Sequence, residues 1–163
     1  MKREIKFRGK SNVDGEWYFG SYVKTNDDTN NPFKTTAPKE YHNIVYYAAP
    51  DFLLGGWNKE PVIPETVCQF TGLLDNNGKE IYEGDIVRVG ILSPNYTGSY
   101  PEPYYVDTVC IYKEGAFLYK RISPFDKKKL SRNWTYKPMH RYEIYSTEVI
   151  SNIHDTPELL KGE

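Results

Sequence analysis

Two carboxylic acids separated by one glycine, Glu83 and Asp85, form the first pattern in this 163-residue chain that could do chemistry. A carboxylate pair performs acid–base catalysis when its surroundings hold the two pKa values apart, which requires a pocket. Here the pair lies in a turn directly before Ile86 and Val87. Glycine lets the backbone turn, and an aspartate can accept hydrogen bonds from nearby main-chain N–H groups. We therefore predict a fold-defining corner at Gly84 rather than a catalytic site.

Histidine and cysteine, the other common reactive side chains, are few and scattered. We expect His42 and His140 to be solvated and His154 to pack or cap, because none lies in a recognised nucleophile motif. Cys68 and Cys110 lie in apolar, strand-like surroundings and are predicted to be buried free thiols of a reducing compartment. A disulfide would depend on Cα positions that the sequence does not provide. No zinc-ligand spacing or glycine-rich phosphate loop is present, so we predict no catalytic residue, metal or cofactor.

Segment 120–141 is strongly basic, although the whole chain has a formal net charge of −1. The segment contains many lysine and arginine residues but a single acid, Asp126, and aromatic residues are interleaved with the basic ones. Basic side chains bind phosphates and aromatic rings stack on unpaired bases, so this segment could bind nucleic acid. The alternative is a lysine-bearing loop that keeps a sheet edge soluble or docks on a neighbouring copy. The residues predicted for nucleic-acid contact are Lys120, Arg121, Lys127, Lys128, Lys129, Arg132, Trp134, Lys137 and Arg141.

A tyrosine- and proline-rich stretch precedes this segment. Rigid tyrosine rings lose little entropy on contact, which suits a protein-binding surface. The same rings could instead fold over the core as a lid. The residues predicted for protein contact are Tyr96, Tyr100, Tyr104 and Tyr105.

The elements that must position these residues are predicted to be short strands. Aromatic residues make up 15% of the chain, and 11 Pro and 12 Gly argue against a helical bundle. Alternating stretches separated by turn signals favour an all-β fold of many short antiparallel strands. The chain should open with a hairpin of residues 3–9 and 16–24, because an Asp-Gly turn lies between them.

The remaining segments are assigned by composition. We predict long loops at 25–43, 93–103 and 123–133, and irregular structure at 50–64. A short C-terminal helix should begin with Thr156 as its cap and Pro157 at its first position. No run of 18 apolar residues is present, so no membrane-spanning helix is expected.

Four blocks carry a resemblance to a known family. REIKFR at 3–8, VIPETVCQFTGL at 62–73, DNNGKEIYEGDIV at 75–87 and EVISNIHDTPELL at 148–160 resemble the YopX family of phage and prophage proteins. The resemblance spans essentially the whole chain. It implies an all-β structure whose C-terminal part is an SH3-like barrel, and it implies no established activity and no catalytic residues.

From these observations we predict two subdomains: 1–68, an N-terminal β-hairpin subdomain with long loops, and 69–163, an SH3-like barrel. The expected function is that of a non-enzymatic accessory protein that self-assembles as a homo-oligomer and binds a host or phage protein. Nucleic-acid binding through segment 120–141 is the alternative. No membrane partner is expected, and the N-terminus lacks the apolar stretch of a secretory signal, which favours the bacterial cytoplasm.

Overall fold

In a computed structural model the chain is built almost entirely of strands. The structure describes residues 4–26, 39–48, 55–91, 104–123, 135–139 and 144–160. The strands are β1 (Phe7–Lys10), β2 (Trp17–Asn26), β3 (Glu40–Ala48), β4 (Gly56–Pro61), β5 (Cys68–Leu74), β6 (Glu80–Tyr82), β7 (Asp85–Ile91), β8 (Tyr104–Lys113), β9 (Ala116–Arg121), β10 (Tyr136–Pro138) and β11 (Ile144–Asn152). They form two antiparallel sheets, which confirms the predicted all-β class.

The first compact unit, Met1–Phe70, is a sheet with the strand order β4-β3-β2-β1, continued by the start of β5. β1 and β2 form the predicted hairpin, in which Lys10 lies opposite Trp17. The connecting turn is closed by a hydrogen bond from Ser11 N to Glu16 O (2.8 Å). The Asp-Gly signal in the sequence therefore identified a real turn.

Two predictions for this unit are wrong. The predicted loop at 25–43 is shorter at both ends, because β2 continues to Asn26 and β3 begins at Glu40, directly opposite it. The predicted irregular stretch at 50–64 contains β4, which pairs with β3 from Gly56 to Pro61. β4 is an outer strand of the sheet. An outer strand needs partners on one side only, so it tolerates glycine, polar residues and a terminal proline.

The second compact unit, Thr71–Glu163, holds a five-stranded sheet with the order β10-β9-β8-β7-β11. β8 and β9 are joined by a tight turn in which Glu114 and Gly115 both have positive φ (51° and 83°). That geometry belongs to the type I′ turn, whose twist matches the flanking strands. The core of this unit is formed by Ile81, Val87, Val89, Ile91, Val106, Cys110, Tyr119, Met139 and Val149.

The finer predictions for this unit are not matched. Among the described residues, β10 and β11 each pair with one strand only, so no closed SH3-like barrel is seen. The predicted C-terminal helix is a four-residue 3-10 turn, Pro157–Leu160, with proline at its first position. The hydroxyl of Thr156 lies within hydrogen-bond distance of Ser151 Oγ (2.6 Å) and Asn152 O (3.2 Å), which ties the turn back to β11.

Both cysteines are buried free thiols, as predicted. The Cys110 thiol donates to Met139 Sδ (3.8 Å) inside the core of the second unit. None of the helices in the described part of the chain is long and apolar enough to cross a membrane.

Candidate binding surface

The Glu83–Gly84–Asp85 corner has the structural role predicted from the sequence. Gly84 has φ 78°, a backbone conformation that residues other than glycine rarely adopt. Asp85 is almost completely buried, and its Oδ2 accepts a hydrogen bond from the main-chain N–H of Tyr82 (2.7 Å). Glu83 Oε1 accepts one from Tyr112 N (3.3 Å). Both carboxylates are thus bound to the main chain of their own unit.

The turn at residues 75–79 protects an outer strand of the second sheet. Asp75 Oδ2 accepts a hydrogen bond from Val149 N (3.0 Å), and Asn76 Oδ1 accepts one from Thr147 N (2.6 Å). In return, Asn76 N donates to Thr147 O (2.9 Å). The N–H groups of Val149 and Thr147 belong to β11, whose one strand partner among the described residues is β7. Unpaired edges of this kind invite aggregation, and the turn covers this one.

Asp75 is buried, and its other oxygen holds the turn together. Oδ1 accepts hydrogen bonds from Asn77 N (2.8 Å) and Lys79 N (2.9 Å). Burial acts to raise the pKa of Asp75. The hydrogen bonds from Val149, Lys79 and Asn77 outweigh that effect, so the pKa lies below its usual value.

His42 contradicts its prediction as a solvated loop residue. It lies on β3, half-buried, with Nδ1 2.6 Å from Tyr22 Oη and its ring stacked on the tyrosine ring at 6.0 Å. Glu40 lies 3.6 Å from His42 Nε2 and pairs with Lys24 Nζ at 2.8 Å. The hydrogen bond from Lys24 lowers the pKa of Glu40. This array joins β2 to β3 and holds the Tyr22 ring in place.

Of the other two histidines, the structure describes His154 but not His140. The main-chain N–H of His154 donates to Asn152 Oδ1 (2.9 Å), so the capping side chain here is that of Asn152, and the packing or capping role of the His154 side chain stays a prediction. His140 lies outside the described residues. No group of three or more His, Cys, Asp or Glu residues that could hold a metal occurs in the part of the chain the structure describes.

The predicted nucleic-acid segment is described only in part. Lys120 is exposed on β9 opposite Tyr136, whose ring lies 4.4 Å from Lys113 Nζ. Arg121 is half-buried, and Lys137 is only 9% exposed and lies opposite the buried Tyr119. The remaining predicted contacts, Lys127, Lys128, Lys129, Arg132, Trp134 and Arg141, lie outside the described residues.

Of the four tyrosines predicted for protein contact, the structure describes two. Tyr104 is half-buried and packs against the core of the second unit, whereas Tyr105 is 59% exposed. Tyr96 and Tyr100 lie outside the described residues. The protein-contact prediction for this stretch therefore stays a prediction.

One face of the first sheet has a composition that the sequence analysis missed. Side chains alternate between the two faces of a strand, and paired residues share a face. The register therefore collects, on one side of β1 to β4, a set of rings and cations that we call the aromatic face: Lys6, Arg8, Lys10, Trp17, Phe19, Tyr41, Tyr47, Trp57 and Lys59.

Direct contacts support this assignment of faces. Lys6 Nζ lies 5.8 Å from the centre of the Phe19 ring, and Lys10 Nζ lies 6.0 Å from the Trp17 ring. Tyr47 and Trp57 meet edge to face with ring centres 5.7 Å apart. Cations near aromatic faces are attracted by the ring quadrupole. The lysines of β1 are therefore held beside the rings of β2.

Strands β1 to β4 of the first sheet place their acids on one face only, together with Lys24. The two acids within strands β1 to β4, Glu40 and Glu60, share the opposite face with Ile44, and Glu60 Oε1 accepts a hydrogen bond from Ser11 Oγ (2.6 Å). On the aromatic face the strands contribute cations and no acid. The strand side chains of this face therefore carry positive charge, although the chain as a whole is slightly negative.

Sequence reasoning could have found part of this surface. The alternation in WYFGSYVK places Trp17 and Phe19 on one face of β2. Tyr47 and Trp57 could be added only with the β3–β4 register, and β4 was predicted to be irregular. A basic cluster was sought as a run of neighbouring residues, whereas this one is assembled from separate strands.

The fold and this surface define a small all-β protein with two antiparallel sheets, an open aromatic face and a signature turn that covers a strand edge. The family model for YopX, described as "YopX protein", matches residues 6–161. The chain belongs to the YopX family, as the sequence blocks predicted. A search of curated proteins finds no match.

One solved structure covers almost the same length. It is described as "Crystal structure of protein EF1440 from Enterococcus faecalis" and is 22% identical to this chain. The match covers 98% of this chain and 99% of that one, with a TM-score of 0.45.

Proposed function

We propose that this protein is a non-enzymatic accessory protein of phage or prophage type that binds nucleic acid through the aromatic face of its first unit. The observation that supports this most directly is the set of exposed rings flanked by lysines, with both strand acids on the opposite face. Rings stack on bases, and ammonium groups neutralise phosphates. The predicted basic segment 120–141 in the second unit is the alternative site for the same ligand.

The charge balance sets the expected strength of binding. With a net charge of −1 the whole protein adds little long-range attraction, so the affinity rests on local contacts. The three lysines of the aromatic face would release about three counterions from a single strand. The logarithm of the affinity should then fall against the logarithm of salt concentration with a slope of about −2.

Low-salt retention on immobilised DNA and RNA tests the proposed function. We expect retention near 50 mM salt and an affinity roughly 15-fold lower near 200 mM salt, which follows from that slope. Replacing Lys127, Lys128 and Lys129 together by glutamate measures how much of the nucleic-acid affinity comes from the basic segment. If no single-stranded or duplex nucleic acid is retained at low salt, the proposed function is wrong.

Self-assembly with protein binding is the second candidate, and one observation favours it. β4 is an outer strand whose partner among the described residues is β3 alone, and Trp57 on it is 74% exposed. An outer strand can pair with a second copy or with an extended peptide.

Light scattering over a range of protein concentrations tests this candidate. A homo-oligomer predicts a mass that is a multiple of 19.0 kDa and falls on dilution. A Trp57→Ala variant should weaken the assembly if the β4 edge forms the contact, whereas Tyr112→Ala, an exposed ring on the other unit, should not. A strictly monomeric protein at all concentrations would exclude the self-assembly candidate.

A further inference from the structure

We infer that the ligand of the aromatic face is an unpaired nucleic-acid strand, whose bases stack on a row of rings that crosses the strands of the first sheet. The row consists of Phe19, Tyr47 and Trp57. This inference rests on the proposed function and narrows it from nucleic acid in general to single strands.

The row follows from the register of three neighbouring strands. Tyr47 on β3 is paired with Trp57 on β4. Ser21 on β2 is paired with Val45 on β3, and alternation along each strand puts Phe19 and Tyr47, each two residues away, on the same face as that pair. Neighbouring strands lie about 4.8 Å apart, so the paired Tyr47 and Trp57 present adjacent rings.

The rings become more accessible toward the outer strand. Phe19 is 44% exposed, Tyr47 58% and Trp57 74%. Exposed rings of this size are costly to leave in water, and covering them with bases removes that cost. Stacking on a ring needs no particular base, because every base has a π-face.

The orientation of the rings favours an unpaired strand over a duplex. The planes of Tyr47 and Trp57 are inclined by 77°. Two bases stacked on these rings would be tilted strongly against each other, which a flexible single strand allows and a continuous base stack does not. In a duplex, moreover, each base face is already covered by its neighbours. The described residues of this unit contain no α-helix that could enter a major groove.

Cations lie at both ends of the row. Lys59 is exposed and lies two residues beyond Trp57 on the same face of β4. At the β1 end, Lys6 and Lys10 lie beside Phe19 and Trp17. A strand laid along the row would thus meet an ammonium group at each end, which suits its phosphates.

Fluorescence anisotropy with labelled oligothymidylate of about twelve nucleotides tests this inference, since single-strand sites span roughly 4 to 16 nucleotides. Tyr47→Ala and Trp57→Ala should each weaken binding about 5- to 150-fold, the range expected for one lost stacking contact. Trp57→Phe should restore most of the affinity. Tyr105→Ala is the matched control, because Tyr105 is 59% exposed but lies on the other unit.

Charge variants separate the aromatic face from the predicted basic segment. Lys59→Glu should weaken binding and make the salt slope shallower by about 0.7, the contribution of one phosphate contact on a single strand. Lys120→Glu, an exposed lysine of β9, should leave the affinity within about twofold of wild type, because an unengaged lysine contributes no phosphate contact. The ring variants should keep the wild-type slope, since they remove no charge. Thermal melting of each variant checks that the fold is retained.

Several results would overturn the inference. If a duplex of the same length binds more tightly than the single strand and Tyr47→Ala has no effect, nucleic-acid binding stands but the stacking row is wrong. If Lys120→Glu abolishes binding while Lys59→Glu does not, the site lies in the basic segment instead. If Trp57→Ala disrupts a dimer and no oligonucleotide binds, a second copy covers the face, and both the inference and the proposed function fail.

Discussion

Replacing Asp75 by alanine is expected to lower the free energy of unfolding by about 3 to 5 kcal/mol. The substitution removes the acceptor of three main-chain N–H groups, those of Asn77, Lys79 and Val149. The Val149 N–H is buried, so its loss of a partner carries a full desolvation penalty. The turn would also lose a bond that holds it against β11. Urea denaturation followed by circular dichroism measures the change.

Two controls show whether the acceptor itself is responsible. Asp75→Asn keeps one of the two side-chain oxygens as an acceptor, so it should lower the free energy of unfolding less than Asp75→Ala does. Asp107→Ala removes a partly exposed carboxylate that pairs with Arg88 (Nε–Oδ1 2.8 Å), and should cost less than about 1 kcal/mol. If Asp75→Ala is as mild as Asp107→Ala, the turn does not stabilise the sheet.

The stabilisation by Asp75 should depend on pH in a definite direction. Its pKa in the folded protein lies below the usual 3.8, because the three N–H donors outweigh the effect of burial. A lowered pKa gives stability that is fully present above the usual value and is lost as the pH falls through the folded value. The difference between wild type and Asp75→Ala should therefore shrink below about pH 4 and stay constant from about pH 5 to neutrality. A difference that grows on acidification would contradict this assignment.

Replacing Asp85 by alanine is expected to cost about 2 to 4 kcal/mol. Its Oδ2 accepts the hydrogen bond from Tyr82 N (2.7 Å) within a buried corner, and Tyr82 itself is almost completely buried. Alanine would leave that N–H without its acceptor at the point where β6 turns into β7. The expected result is a lower denaturation midpoint with an unchanged dependence on urea concentration.

Neighbouring substitutions test the corner independently. Asp85→Asn retains an oxygen acceptor and should be milder than alanine. Gly84→Ala should cost about 1 to 2 kcal/mol, because φ is 78° there and a side chain is strained in that conformation. Glu83→Ala removes only the longer bond to Tyr112 N (3.3 Å) and should have a small effect. A large loss at Glu83 with none at Asp85 would reverse the proposed roles.

These substitutions give the family signature a physical meaning. In the block DNNGKEIYEGDIV, Asp75 and Asn76 cover the free edge of β11, and Gly84 and Asp85 form the corner that begins β7. In the block EVISNIHDTPELL, Asn152 Oδ1 accepts hydrogen bonds from the N–H groups of His154 and Asp155. These two family blocks thus build the second unit, and the proposed binding surface lies on the first.

Local signals in the sequence were reliable where the backbone is constrained by its own residues. The first hairpin was predicted from its Asp-Gly turn, where Gly15 has a positive φ of 79°. β4 was missed because an outer strand is stabilised by pairing with β3 rather than by its own propensity. His42 was misplaced for the same reason, since β3 begins opposite the end of β2.

By itself, the sequence determined the all-β class, the family, the buried thiols and the structural nature of the Glu83–Asp85 corner. Those properties depend on residues close together in the chain, where alternation, turn chemistry and hydrogen bonds from the local backbone act directly. Only the tertiary structure decided which rings share a face. Phe19, Tyr47 and Trp57 lie on three strands, and a shift of the register by one residue would move a strand's ring to the opposite face. The aromatic face therefore exists through long-range strand pairing, which no local pattern in the chain specifies.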